Sequence, residues 1–230
     1  MSNFPIVDVI IPAYNEEGSI SRVIADIPQI VRHIVVANNN STDRTRAVAE
    51  AAGAQVVFEP QRGYGKACLT AMDWIKGQEA QPDIVVFLDG DYSDFPEEMI
   101  GLIQPIVDGK ADMVIGSRAL GQRERGSMTF PQVFGNWLAT TLMKFIQGAK
   151  FSDLGPFRAI AWQKLLNLGM VDQNYGWTIE MQIKAHKVGL RYSEVPVNYR
   201  KRIGVSKVSG TVKGVIGAGY KIILTIFKYA

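Results

Sequence analysis

The sequence predicts an α/β fold, a mostly parallel sheet with helices packed on both faces. Three observations carry this. Short runs rich in Val and Ile alternate with longer segments of helical period through the first half of the chain. Those runs are mostly apolar, as strands buried on both faces are. Strands separated by helices need crossover connections, and crossovers join parallel neighbours.

In chain order, strands are expected at Ile6–Ile11, Ile34–Ala37, Gln55–Phe58, Ile84–Leu88 and Met113–Gly116. Helices are expected at Ser19–Ile30, Thr42–Ala52, Gly65–Lys76 and Pro96–Val107. Asn40 or Ser41 is the candidate N-cap of the second helix, and Pro96 sits where a first-turn proline belongs. After Arg118 the pattern changes. Polar, glycine-containing Leu120–Met128 reads as a loop, followed by helices at Gln132–Gln147 and Thr178–Lys187 and a strand at Arg191–Val197.

Composition narrows the function classes. With 230 residues, 47% hydrophobic and 20% charged, the chain can bury a sizeable core, which excludes intrinsic disorder. A lone cysteine, Cys68, rules out a disulfide scaffold and fits a reducing cytosol. With only His33 and His186 beside it, a structural zinc site has too few ligands. A net charge of +3 gives no argument for nucleic acid. Met1–Pro5 lacks the pattern of a secretory leader, and no apolar run reaches the roughly 20 residues that span a bilayer. The expectation is a cytoplasmic protein.

In open parallel sheets, ligands bind beyond the carboxyl ends of the strands. Each expected strand here leads at that end into polar residues. The first is followed by Pro12, Ala13, Tyr14 and Glu16, and the second by Asn38, Asn39, Asn40 and Ser41. The third runs into Arg62-Gly63-Tyr64-Gly65-Lys66, the fourth into Asp89-Gly90-Asp91 and the fifth into Ser117-Arg118. Two carboxylates flanking Gly90 repel each other unless a cation sits beside them. A hard ion such as Mg²⁺ binds through one or two carboxylates plus phosphate oxygens. The alternative for this triplet is a solvated turn that caps the next helix. Arg62–Lys66 lacks the spacing of a P-loop; it either admits a phosphate or sugar closely or simply starts a helix.

Together, VIIPAYNE (Val9–Glu16), NSTDRT (Asn40–Thr45), RGYGKA (Arg62–Ala67), FLDGDYSDFPEE (Phe87–Glu98) and GSR (Gly116–Arg118) resemble the family 2 glycosyltransferases with the GT-A fold. Within that family the chain is similar to dolichyl- and polyprenyl-phosphate sugar transferases. Phe151–Ile160, Gly176–Ala185 and Glu194–Thr211 extend the likeness through the second half. The resemblance implies a single GT-A domain over residues 1–210, with a nucleotide-sugar half (1–118) and an acceptor half (119–210). Residues 211–230 then form an amphipathic C-terminal helix.

The resemblance also implies roles. Pro12, Ala13, Tyr14 and Glu16 would hold the nucleoside, with Asn38, Asn39, Lys66, Asp89 and Gly90 around the donor. Asp91, with Asp89, would hold Mg²⁺ or Mn²⁺ on the diphosphate. Arg118, Arg202, Ser206 and Lys207 would gather donor and acceptor phosphates. Two departures stand out. Asn38 and Asn39 fall where the family often has Asp; an amide matches uracil's donor–acceptor pair better than guanine's paired donors, which favours a UDP-sugar over GDP-mannose. Ser93 replaces a common Gln, which leaves a third protein ligand to the metal in question.

The implied reaction is inverting transfer of a hexose. A lipid phosphate is already largely anionic near neutral pH and needs positioning more than a base. A sugar-hydroxyl acceptor would need one, with Glu180 and Asp153 as candidates. In the last segment Lys213, Lys221 and Lys228 share one helical face, with Val212, Ile216, Ile222, Ile223 and Ile226 opposite. That pattern suits either a membrane interface or a helix packed on the core. The competing classes are a family 2 enzyme acting on a sugar hydroxyl and a non-catalytic nucleotide-sugar binding subunit. A membrane-protein partner or a second copy of the chain remains open.

Overall fold

The strands are β1 (Val7–Ala13), β2 (Val31–Asn38), β3 (Gln55–Phe58), β4 (Ile84–Phe87), β5 (Met113–Ser117), β6 (Arg158–Ala161) and β7 (Tyr192–Pro196). They form one sheet in the order β3-β2-β1-β4-β6-β5-β7. All neighbours are parallel except β6, which runs antiparallel to both β4 and β5. The computed structural model describes residues 4–204 and 212–229, the latter with side chains from residue 219 onward. Ser206, Lys207 and the side chains of Val212, Lys213 and Ile216 lie outside the described residues.

The helices are α1 (Ile20–Ala25), α2 (Thr45–Ala51), α3 (Tyr64–Lys76), α4 (Met99–Val107), α5 (Phe130–Gln147), α6 (Trp162–Leu168), α7 (Trp177–Lys187) and α8 (Val212–Lys228). Because side chains alternate along a strand, each central strand feeds two cores. Ile10, Val35, Val85, Phe87 and Ile115 point to one face, covered by α3, α5, α6 and α7, and Ile226 of α8 joins that core. Val9, Ile11, Val36, Val86 and Val114 point to the other, covered by α1, α2 and α4.

Several boundaries differ from expectation, each for a local reason. α1 stops at Ala25, shortly before Pro28. α2 starts at Thr45 rather than Thr42, so neither Asn40 nor Ser41 is its cap. Asp43 accepts the Thr45 N–H at 2.9 Å instead. α5 begins two residues before the expected Gln132, at Phe130, because the Gln132 side chain accepts the Thr129 N–H at 2.8 Å, a capping-box arrangement.

The last helix packs on the domain. Ile226 is fully buried and Ile222 lies against the same core, so part of the face expected at a membrane interface is turned inward. Gln147 donates to the Ile226 carbonyl at 2.8 Å, and the Tyr229 hydroxyl donates to Glu180 at 2.8 Å. Among the described residues, the large apolar side chains that α8 turns outward are Tyr220, Leu224 and Phe227, beside exposed Lys228. Among the described residues no helix is long and apolar enough to cross a membrane.

Candidate active site

The carboxyl ends of β1, β4 and β5 open into a cavity of about 810 Å³. Its walls include Pro12, Ala13, Tyr14, Glu16, Asn39, Asp89, Gly90, Asp91, Arg118 and Arg202, all anticipated from sequence. The Arg62 guanidinium stacks 3.1 Å above the Tyr14 ring and closes the cavity's β1 side.

Asp89 and Asp91 end β4 side by side. Burial first, and then the charge of Asp91, pushes the Asp89 carboxyl up to about 7, while Arg202, Arg118 and the Tyr64 hydroxyl oppose the shift. The Tyr64 hydroxyl donates to Asp89 at 3.3 Å. Asp91 accepts the N–H and hydroxyl of Ser93 on one oxygen and the Arg202 guanidinium, at 2.7 Å, on the other. Ser93 thus spends its hydroxyl orienting Asp91. Asp94, three residues on, is buried with neither carboxylate oxygen hydrogen-bonded, and burial raises its pKa well above the usual range.

The segment carrying Arg202 is stapled over this loop. Arg200 donates to the carbonyls of Tyr92 at 2.7 Å and Asp94 at 3.1 Å, and its guanidinium lies between the Tyr92 and Phe95 rings. The Ile203 N–H donates to the Asp91 carbonyl at 2.9 Å. No periodicity marks Arg200; only the fold shows that it fixes the loop after Asp91.

Arg118 is held by Asp153 through three hydrogen bonds: backbone N–H at 2.7 Å, Nε at 2.8 Å and Nη2 at 2.6 Å. Asp153 is 1% exposed, and the Arg118 charge keeps its carboxyl below the usual range against the cost of burial. The segment carrying it is clamped in turn. Asn136 of α5 binds both Ser152 and Leu154, Glu194 accepts the Ser152 N–H, and Gln182 donates to the Asp153 carbonyl.

Four anticipated residues do other work. Asp153 is committed to Arg118 and does not line the cavity. Glu180 is fully buried outside it, accepting from the N–H groups of Val171 and Asp172, from Tyr229 and from Lys184. It ties α7 to α8, and the general-base reading has no geometric support. Lys66 points to Glu59 at 4.0 Å, away from the cavity. Asn38 accepts the Ser41 N–H at 3.1 Å in a local turn outside the cavity wall. Asn39 does line the cavity, but its amide accepts the Gly63 N–H at 2.8 Å and donates to the Gln61 carbonyl at 2.7 Å. It shapes the Arg62–Gly63 turn, so the base-matching argument cannot run through it.

The far wall escaped the sequence reading. Phe134 and Leu138 of α5, Leu154, Pro156, Tyr175 and Ile222 of α8 line it and make it apolar. Beneath the polar floor, the fully buried Arg158 donates to the carbonyls of Thr178, Leu154 and Gly155. Burial lowers its pKa to about 10.

The profile of the Glycosyl transferase family 2 matches residues 8–168, which include the cavity's β1, β4 and β5 edges. The chain belongs to this family. An uncharacterized glycosyltransferase of Mycobacterium tuberculosis is 36% identical over 213 residues, 91% of this chain and 93% of that one. A dolichyl-phosphate hexose transferase of Haloferax volcanii is 30% identical over 210 residues, 89% of this chain and 87% of that one. Among solved structures, glucosyl-3-phosphoglycerate synthase of M. tuberculosis, in complex with Mn²⁺, UDP and glucosyl-3-phosphoglycerate, superposes with a TM-score of 0.77. It is 22% identical and covers 98% of this chain and 80% of its own, a likeness of fold. The family 2 assignment and the mostly parallel sheet of a GT-A fold agree with the sequence reading.

Proposed function

We propose that this family 2 glycosyltransferase moves a hexose, with inversion, from a nucleotide-sugar to the phosphate of a polyprenyl lipid. One observation carries the reading: the cavity has a charged half and an apolar half, with Arg118 and Arg202 among its walls. Tyr14, Glu16, Asp89 and Asp91 suit a nucleoside diphosphate-sugar. Phe134, Leu138, Leu154 and Ile222 suit an isoprenoid, and the two arginines suit phosphates.

Mg²⁺ or Mn²⁺ fits Asp89 and Asp91, whose paired carboxylates are relieved here by the Arg202 guanidinium, itself a cation against Asp91. Among the described residues no three His, Cys, Asp or Glu side chains make a cage of their own, as expected where phosphate oxygens complete the coordination. When bound, such an ion neutralises charge on the departing diphosphate.

Arg118, fixed by Asp153, would orient the acceptor phosphate against the anomeric carbon. A phosphate oxygen forms the new bond to that carbon as the bond to the nucleoside diphosphate breaks, and the diphosphate leaves with the electron pair. No proton need move, because the acceptor is already anionic. That suits a site whose two candidate bases are engaged elsewhere. UDP-sugar is the favoured donor, on the strength of the UDP held by the fold neighbour.

The test is a product assay by mass spectrometry with UDP-glucose and GDP-mannose against a polyprenyl phosphate of a few isoprene units, with Mn²⁺. A hexosyl-phospholipid formed faster from UDP-glucose is the expected result. Transfer only to sugar hydroxyls would favour the runner-up acceptor, and no transfer from either donor would favour a binding subunit.

A further inference from the structure

We infer that the outward faces of α5 and α8 form one docking surface for an anionic lipid bilayer, with α5 contributing more of it. It rests on the lipid-phosphate reading only for its purpose; the surface itself is argued from other residues.

α5 carries an aromatic stripe that the other described residues leave exposed. Phe130, Phe134, Trp137 and Phe145 are 80%, 48%, 58% and 79% exposed. At 100° per residue these four positions fall within one narrow face. The first three make a continuous patch, with ring centroids 6.2 Å apart for Phe130 and Phe134 and 5.7 Å for Phe134 and Trp137. Beside α5, α8 exposes Tyr220, Leu224 and Phe227, spaced to share a face in the same way. A soluble monomer rarely leaves so much contiguous apolar surface unoccupied.

Two features select a bilayer over a protein partner. The first is charge. From Arg125 to Ser152, which contains α5, and from Val195 to Ala230, which contains α8, the sequence has no Asp or Glu and ten Lys or Arg. Arg200, Lys201, Arg202 and Lys221 pair with acids of other elements, but Arg125, Lys144, Lys150 and Lys228 are exposed beside the aromatic faces and match a headgroup region of negative potential. The second is continuity with the site. The cavity's apolar wall comes from the same two helices, through Phe134 and Leu138 on one and Ile222 on the other. A lipid chain could therefore pass between bilayer and cavity without crossing charged surface.

The test uses Trp137 as a reporter, since Trp162 and Trp177 are 2% and 1% exposed and the half-buried Trp74 packs against His33 of β2, away from α5. The full-length protein is mixed with phosphatidylcholine vesicles with and without phosphatidylglycerol. The expected result is a blue-shifted emission, lost in Trp137→Phe, together with co-sedimentation that strengthens with phosphatidylglycerol. Phe130→Ser and Phe145→Ser, outside the cavity, should each weaken partitioning about tenfold or more while leaving UDP affinity and Tm unchanged. Absence of both shift and sedimentation overturns the inference. So does a dimer in light scattering that these variants convert to monomer, which would make the surface a contact between copies. Transfer to a short polyprenyl phosphate without vesicle binding sinks this surface and spares the proposed function. Vesicle binding without transfer to any polyprenyl phosphate does the reverse.

Discussion

Replacing Asp153 by Asn separates a positioning role from a catalytic one. The carboxylate and the Arg118 guanidinium form a nearly buried bidentate pair, 1% and 12% exposed in their side chains. Asn keeps the volume and one acceptor, but turns an NH₂ group toward a guanidinium that can only donate. An uncompensated buried charge of this kind costs about 3–5 kcal/mol. At about 3 kcal/mol per molar urea, for a chain at the larger end of that range, the unfolding midpoint should fall by about 1 M or more. Activity should fall too, because Arg118 is no longer held in place, but the pH–rate profile should keep its shape. A midpoint equal to wild type would refute the packing argument. Loss of the acidic limb of the profile, with stability intact, would instead restore Asp153 as the general base.

Other perturbations follow from the same geometry. Asp91→Asn removes the carboxylate that faces Arg202 and should lower turnover by about 10²–10³-fold or more, judged by initial rates with saturating Mn²⁺; half-normal turnover would contradict its role. Because Asp89 must ionise to hold a cation and its pKa is pushed up to about 7, Mn²⁺ affinity measured by calorimetry should drop by about fivefold from pH 7 to pH 6. The sign reverses for the metal-free fold: a raised carboxyl pKa contributes stability that is lost as pH rises through about 7, so its Tm should be lower at pH 8 than at pH 6. Gly65→Ala would drive a methyl into the Asp172 backbone carbonyl, so a clearly lowered Tm is expected, and an unchanged one would mean the α3 start is misplaced.

The central parallel strands were legible because they hold buried apolar runs, as in Ile84–Phe87, whose four residues are all buried. β6 was not. It has four residues, opens with the charged Arg158 and passes directly into α6 at Trp162, so neither length nor alternation marks it. The site's polar floor was legible because Asp89, Asp91 and Arg118 sit directly after strands. Its clamps were not, because Asp153 and Arg200 act through contacts 35 and more than 100 residues away in sequence. Glu180 misled because a helical carboxylate reads the same whether it faces a cavity or, as here, fastens two helices together.

The reversed strand β6 has a consequence for how such an enzyme diversifies. Since it enters the sheet at the edge where β4 and β5 leave it, Asp153, just upstream, can grip Arg118, just downstream of β5. The distance between the donor carboxylates and this arginine is thereby written into a hydrogen-bonded ladder, and altering it would mean re-registering strands. New acceptors are more cheaply accommodated by exchanging side chains on the two helices of the apolar wall, which leaves the reacting geometry untouched.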